Sequence, residues 1–324
     1  RVDPAVLRIE PSARLQWCRE MSDAAQGSER IISVTSKVID SHSSLAMASS
    51  NGFAGSSEST STWRGCEVSL RDEGDSRPSG SFWAGGRHLS ALPAPSEVGA
   101  RALHEGIRRL GGEPGPTKRA GMVVEARVAG SLIARLLQPA SATAISRQRS
   151  FYEGKLGEQL FSPLLNIIDE PLLPRGLASR HFDSEGISAR RIPIIEAGRL
   201  RNFYVDTYYG RKTGMAPTTG SSSNLVLPPS EQSLENLVRD AGEGYLVTGW
   251  LGGNANPTTG DYSFGMRGHH IENGAVGAPV IEMNITGNWR DLFSQLAAVG
   301  NDPWPYSSRR IPSLRFENVQ FSGA

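Results

Sequence analysis

Residues 176–220 read GLASRHFDSEGISARRIPIIEAGRLRNFYVDTYYGRKTGMAPTTG. Three groups make the stretch dense: a turn with two carboxylates, Asp183-Ser184-Glu185-Gly186, a paired Arg190-Arg191, and the run Tyr209-Gly210-Arg211-Lys212-Thr213-Gly214. Between them Ile192–Ile195 and Leu200–Val205 flank Glu196-Ala197-Gly198-Arg199, which is a hairpin by pattern. The stretch holds no metal-ligand set and no standard nucleophile motif. Its residues therefore mark a structured site without naming a reaction.

Downstream, Ser230 is read as the cap of a helix through Ala241, because Leu234, Leu237, Val238 and Ala241 fall at i, i+3, i+4, i+7. Tyr245–Leu251 reads as a strand. Ile281, Met283 and Ile285 alternate with Glu282 and Asn284 and predict a half-buried strand. Asn288 is expected to cap a helix to Val299, and Leu314–Phe321 closes the chain as a strand. Upstream, Met122–Val124 leads into an apolar helix over Val128–Leu137.

The first third is polar. Short strands are predicted at Val6–Ile9 and Ile31–Val38. Asn51-Gly52 suits the positive φ angles of a hairpin inside Ser43–Trp63, continuing through Cys66–Leu70. Within it the serine-rich run Ser56–Ser61 reads as an exposed strand. A helix over Glu97–Leu110 is expected to start at a Ser96 cap and stop at Gly111-Gly112. The turn-rich link 112–117 divides residues 1–117 from 118–324. Together these elements predict an α+β fold of two domains with mixed, largely antiparallel sheets and flanking helices.

Bulk properties narrow the function classes. The chain has 324 residues, 38% hydrophobic and 21% charged, with a net charge of +1. That balance gives no electrostatic case for nucleic acid or an anionic membrane. Two cysteines, Cys18 and Cys66, exclude a multi-cysteine zinc site and fit a reducing, cytoplasmic setting. No apolar run reaches the roughly 18 residues of a membrane span, and no signal peptide precedes the fold.

Catalytic motifs are incomplete. His104-Glu105 is followed four residues on by Arg108 rather than histidine, so it is a solvated helix face and not a zinc-peptidase motif. His269-His270 is adjacent instead of helically spaced, and His181 stands alone. Asp183 and Glu185 form the best carboxylate pair. The favoured reading is that Asp183 bonds turn amides while Glu185 pairs with Arg190 or Arg191.

The stretch 176–220 resembles the signature region of the TldD/PmbA family, once called modulators of DNA gyrase. The matching pieces are Gly176-Leu-Ala-Ser179, Phe182-Asp-Ser-Glu-Gly186, Gly198-Arg-Leu200, the Tyr209–Gly214 run and Thr219-Gly220. A second block agrees: Thr259-Gly-Asp-Tyr-Ser263, Ile271-Glu-Asn-Gly274, Pro279-Val280, Ile285-Thr-Gly-Asn288 and Val299-Gly-Asn-Asp302. The resemblance covers most of 121–324 and extends more weakly upstream, through Ser50-Asn-Gly-Phe53 and the helix before Gly111-Gly112. It implies that a first stretch on the order of 100 residues is missing before this chain.

TldD-like members carry a His-Glu-x-x-x-His helix and a later cysteine that together hold a catalytic zinc. At the corresponding places this chain has Val128-Ala-Gly-Ser-Leu-Ile-Ala-Arg-Leu136 and Phe264-Gly-Met-Arg-Gly268. The resemblance thus implies the PmbA (TldE) branch. Such a subunit binds no cofactor itself and pairs with a zinc-bearing TldD-like partner to cleave unfolded peptides. It implies no catalytic residue and no metal ligand here. Asp183, Glu185, Gly186, Arg191, Tyr209, Arg211, Thr219, Gly220, Asp261 and Asn288 are expected to shape the substrate chamber or its frame. Extended substrate is expected at a sheet edge, with Tyr245–Leu251, Ile281–Ile285 and the loop around Asp183–Arg191 as candidates. The alternative is a non-enzymatic binding protein, a modulator of gyrase or of a toxin–antitoxin component, acting as a homodimer.

Overall fold

The structure is a computed structural model that describes residues 2–323. Its chain divides into two compact units, Arg1–Gly112 with Leu173–Ser179, and Glu113–Leu172 with Arg180–Ala324. The fold is α+β.

In the first unit, Asp3 accepts from the Ala5 amide and caps α1 (Pro4–Leu7). The Val6–Ile9 strand is thereby corrected: a capping Asp followed by proline at the first helical position outweighs the β-branched residues. A second proline opens α2 (Pro11–Ala24), a helix that the polar sequence did not reveal. β1 (Ile31–Ala48), β2 (Ala54–Leu70) and β3 (Ser79–Gly86) form an antiparallel sheet in that order. The β1–β2 hairpin is longer than expected and turns through Gly52 at φ +91°. Ser56–Ser61 lies within β2, where Ser61 shares a 2.8 Å hydroxyl bond with Ser41. α3 (Pro95–Ile107) begins at an Ala94 cap with Pro95 at its first position, not at Ser96, and ends before Leu110.

The second unit opens with β4 (Lys118–Val124), α4 (Ala126–Leu137) and the short α5 (Ala142–Ser146). β5 (Ile167–Asp169), β6 (Ile192–Glu196) and β7 (Arg199–Leu200) follow. The β6–β7 turn has Ala197 at φ +46° and Gly198 at φ +76°, the double positive φ that tight hairpins require. Leu200–Val205 is corrected from a strand: the ladder with β6 ends at Leu200, and within the buried Phe203–Val205 Tyr204 makes an isolated bridge to Ser141. α6 (Thr207–Thr213) and β8 (Leu225–Val226) come next.

α7 (Leu234–Ala241) is capped by Ser233, which accepts from the Asn236 amide at 3.3 Å. Ser230 instead donates to the Val299 carbonyl, which corrects its expected capping role. β9 (Gly244–Ala255), β10 (Asp261–Glu272) and β11 (Ala275–Asn288) form a meander. Asn288 caps α8 (Trp289–Ser294) as expected, yet the helix stops early and Leu296–Val299 is β12, antiparallel to the last strand. β13 (Arg309–Arg310) and β14 (Leu314–Ser322) complete the chain.

Two sheets result. The larger runs β11-β10-β9-β4-β14-β12, and a further β11–β14 pairing closes its first five strands into a ring. β4 and β9 are parallel, as are β8 and β13; the remaining pairs are antiparallel. The smaller sheet runs β13-β8-β5-β6-β7. Trp289 is buried in the core, with the rings of Tyr262 and Phe264 tilted against it at centroid distances of 4.6 and 5.7 Å. Among the described residues no helix is long and apolar enough to cross a membrane.

Candidate functional site

Asp183 organises the acidic turn. One carboxylate oxygen, Oδ1, accepts from the amides of Glu185 at 2.9 Å and Ile187 at 3.0 Å. The other, Oδ2, accepts from the Thr219 hydroxyl at 3.0 Å. Gly186, at φ +80°, lets the chain reverse inside this loop, where a side chain would be strained. Asp183 and Thr219 are both buried. Arg180 donates to the Thr219 hydroxyl at 3.1 Å and to the Ser221 hydroxyl at 3.2 Å, extending the chain of bonds outward.

Glu185 does not pair with Arg190 or Arg191, which corrects the sequence reading. Its carboxylate takes the amide and hydroxyl of Thr207, while Asp206 accepts from the Tyr209 amide at 2.6 Å. Two carboxylates therefore face the N-terminus of α6, where free amides and the helix dipole favour negative charge. Arg211 and Lys212 sit in the last turn, complementing the opposite end. Tyr209 accepts from Arg147 at 3.1 Å and lies under Lys212. Arg191 reaches Glu170 at 3.5 Å from an exposed position. Gly220 sits beside Asp206, with no room to spare for a side chain.

The structure adds a buried cluster that sequence reasoning missed. Asp169 is 1% exposed and accepts from the Ser223 amide at 2.8 Å, the Ser223 hydroxyl, and the Tyr204 hydroxyl at 3.0 Å. Burial pushes its carboxyl above the ordinary range, against the lowering effect of those bonds. Burial, with the nearby Asp169 charge, also raises the Tyr204 hydroxyl well above its usual value. The cavity that Asp169 shares with Arg180, Arg190 and Thr219 has a volume of only about 10 Å³, room for about one water. Asp169, Tyr204 and Ser223 lie in three separate stretches with no shared motif, so the available signal was hydrophobic context alone.

Asp261 and Asn288 meet far along the chain. Thr259 donates to Asp261 at 2.6 Å, and the Asn288 amide group donates to Asp261 at 3.0 Å and to the Thr259 carbonyl at 2.9 Å. These bonds, Thr259 first, hold the exposed Asp261 carboxyl below its ordinary range. They staple the β9–β10 loop to the start of α8.

The proposed sheet-edge positions are mostly closed. Tyr245–Val247 pairs with β4 on one side and β10 on the other. Along Ile281–Ile285, the Ile281 amide is bonded to Glu113 and Asn284–Ile285 pair with β14. Ring closure has used both edges at Tyr245–Val247 and at Asn284–Ile285, so the expectation is corrected for those residues. Residues 249–255 of β9 pair with β10 alone.

Among the described residues no group of three or more His, Cys, Asp and Glu side chains is placed to hold a metal ion. α4 presents Ala126, Ala129, Gly130, Leu132, Ile133, Leu136 and Leu137 as its buried residues. A side chain at Gly130 would stand 3.0 Å from Arg309, and Trp250 bonds the Val128 carbonyl at 3.2 Å. The small and apolar side chains that α4 buries do not fit a metal.

The central domain model of the PmbA/TldA metallopeptidases matches residues 5–110, and their C-terminal domain model matches residues 117–323. The chain belongs to the TldD/PmbA family. It is 32% identical to Metalloprotease PmbA of Escherichia coli O157:H7 over 74% of its own length and 53% of that protein's. The chain therefore spans about half of that relative. A Bacteroides thetaiotaomicron structure, whose name proposes it as a modulator of DNA gyrase, superposes with a TM-score of 0.97. The two are 36% identical, over 100% of this chain and 74% of that one. TldE from Thermococcus kodakarensis shares the fold, with a TM-score of 0.87 at 20% identity over 100% and 77% of the two chains.

Proposed function

We propose that the chain is a PmbA/TldE-type subunit that carries no metal and completes a two-subunit metallopeptidase acting on unfolded peptides in the cytoplasm. The observation that carries the reading is α4. By the sequence resemblance it corresponds to the zinc helix of TldD-like members, and it offers small and apolar side chains to the interior. A family of metallopeptidases whose donor set is missing from one chain needs the metal from another. That partner is a TldD-like subunit, and its zinc supplies the activated water.

On this reading Asp183, Glu185, Gly186, Arg191, Tyr209, Arg211, Thr219 and Gly220 frame the chamber wall instead of doing chemistry, as do Asp261 and Asn288. Both oxygens of Asp183 and of Glu185 are already engaged within the chain, so neither of these two carboxylates is held ready as a base. The test is purification alone and with the TldD-like homologue, followed by zinc and peptidolysis measurements. Zinc and activity only in the pair are expected. Stoichiometric zinc with peptidolysis in the isolated chain overturns the proposal. Recovery of gyrase without a His-Glu-x-x-x-His partner favours a non-enzymatic modulator.

A further inference from the structure

The outer end of the β9–β10–β11 meander holds an open groove of about 470 Å³, within the range of roughly 300–1,000 Å³ typical of ligand clefts. Its floor is made by the absence of side chains at Gly252 and Gly265, and a side chain added at Gly252 would meet nothing within 4 Å. Ser263, Asn254 and Asn284 supply hydroxyl and amide groups along it, and Glu282 is the one charged residue lining it.

The backbone is distorted to build this groove. The β10–β11 ladder slips between Met266 and Gly268, leaving Ile281 and Glu282 across from Arg267, and the β9–β10 ladder slips at Gly265. Glu282 takes φ +53°, a left-handed conformation that favours glycine. Bulges of this kind re-aim side chains next to functional surfaces. Here the bulge exposes a carboxylate that has no hydrogen bond or ion pair among the described residues, and Asn254, Ser263 and Asn284 make no side-chain bonds either. The contrast with adjoining loops is direct, since Asn288 bonds its own chain through both its amide nitrogen and its oxygen, and the Asn256 oxygen accepts from the Thr258 amide. Arg267, the cation facing Glu282 across the ladder, is turned over Gly249.

We propose that this groove is a subsite for a lysine or arginine side chain of an extended peptide, with Glu282 binding the cation and Asn254, Ser263 and Asn284 bonding the peptide's main chain. A flat, glycine-floored trough accepts backbone without steric selection, and a single unpaired carboxylate supplies the one charge preference. The proposal rests on the peptide-holding role stated above.

The test uses the full chain and a fluorescent peptide, acetyl-Ala-Ala-Lys-Ala-Ala-amide, beside versions with norleucine or glutamate in place of lysine. Binding of the lysine peptide is expected to exceed that of the norleucine peptide about tenfold, the scale of one charge-assisted hydrogen bond. Glu282→Gln should abolish that preference. Glu282→Gly removes the carboxylate while relieving the left-handed backbone, and should lose the preference with thermal stability kept or raised. Equal affinity for the lysine and norleucine peptides, a preference retained in either variant, or no binding at millimolar peptide overturns the proposal. Zinc content and partner recovery, measured on the same preparations, report separately on the subunit role.

Discussion

Asp183 and Asp169 are two buried carboxylates handled in different ways. Asp183 is held by two turn amides and a hydroxyl, so its removal strands three donors. Asp183→Ala is expected to cost about 2–4 kcal/mol, whereas Asp183→Asn keeps an acceptor for the amides and should cost less than half as much; urea unfolding of the two variants checks the order. Asp169 has a folded-state pKa above its unfolded value, which is close to 3.8. A group raised in this way contributes stability below its unfolded value and loses it as pH climbs through the folded one. Asp169→Asn is uncharged throughout, so wild type should lose stability relative to it as pH rises from about 4 toward neutrality. Denaturant melts of both proteins across that window would show a constant difference if Asp169 were unshifted. The turn role of Asp183 was legible because aspartate two residues before a turn amide has a local signature. The Glu185–Thr207 contact was not, since it joins residues 22 apart through a helix start that no periodicity marks.

At the level of elements, α3 lies so close to its neighbours that glycine is required. A Cβ at Gly80 would stand 2.0 Å from the Gly106 amide, and one at Gly99 would stand 2.0 Å from the Met21 carbonyl. Gly80→Ala must push α3 off β3 and should cost about 3 kcal/mol or more, read as a drop in Tm. The outer arm of the β1–β2 hairpin behaves in the opposite way. Residues 41–46 are exposed on both faces and 54–59 alternate between exposed and half-buried, so the arm adds little to the core. Replacing residues 43–59 with a two-residue Asn-Gly turn should change stability by no more than about 1 kcal/mol. A large loss of Tm would show that the arm packs on something within its own unit. The hairpin and α4 could be read from turn chemistry and apolar periodicity. Helix α2 could not, because its residues bury mainly through Met21 and leave no clear stripe.

For the whole molecule, chain order and spatial order diverge. Leu173–Ser179 belongs to the first unit although 60 residues of the second unit, Glu113–Leu172, precede it. Arg87 donates to the carbonyls of Gly176 and Leu177 in that returning segment. A fragment ending at Gly112 loses those acceptors. Hydrogen exchange at the β2–β3 end near Thr60 and Arg87 should therefore be faster in the fragment than in the full chain. Equal protection would show that the returning segment is dispensable.

Local chemistry in the sequence determined the α+β class, the Asn51-Gly52 hairpin, the Asn288 cap, the Asp183 turn and the family signature, because caps, tight turns and apolar periodicity act over a few residues. Tertiary structure alone decided the ring closure through β11–β14, the return of Leu173–Ser179 and the Asp169–Tyr204–Ser223 cluster, because these depend on which distant surfaces meet. The stretch 176–220 shows both halves. Its turn and hairpin were written locally, while the partner of Glu185 was chosen only when α6 brought its unpaired amides to that carboxylate.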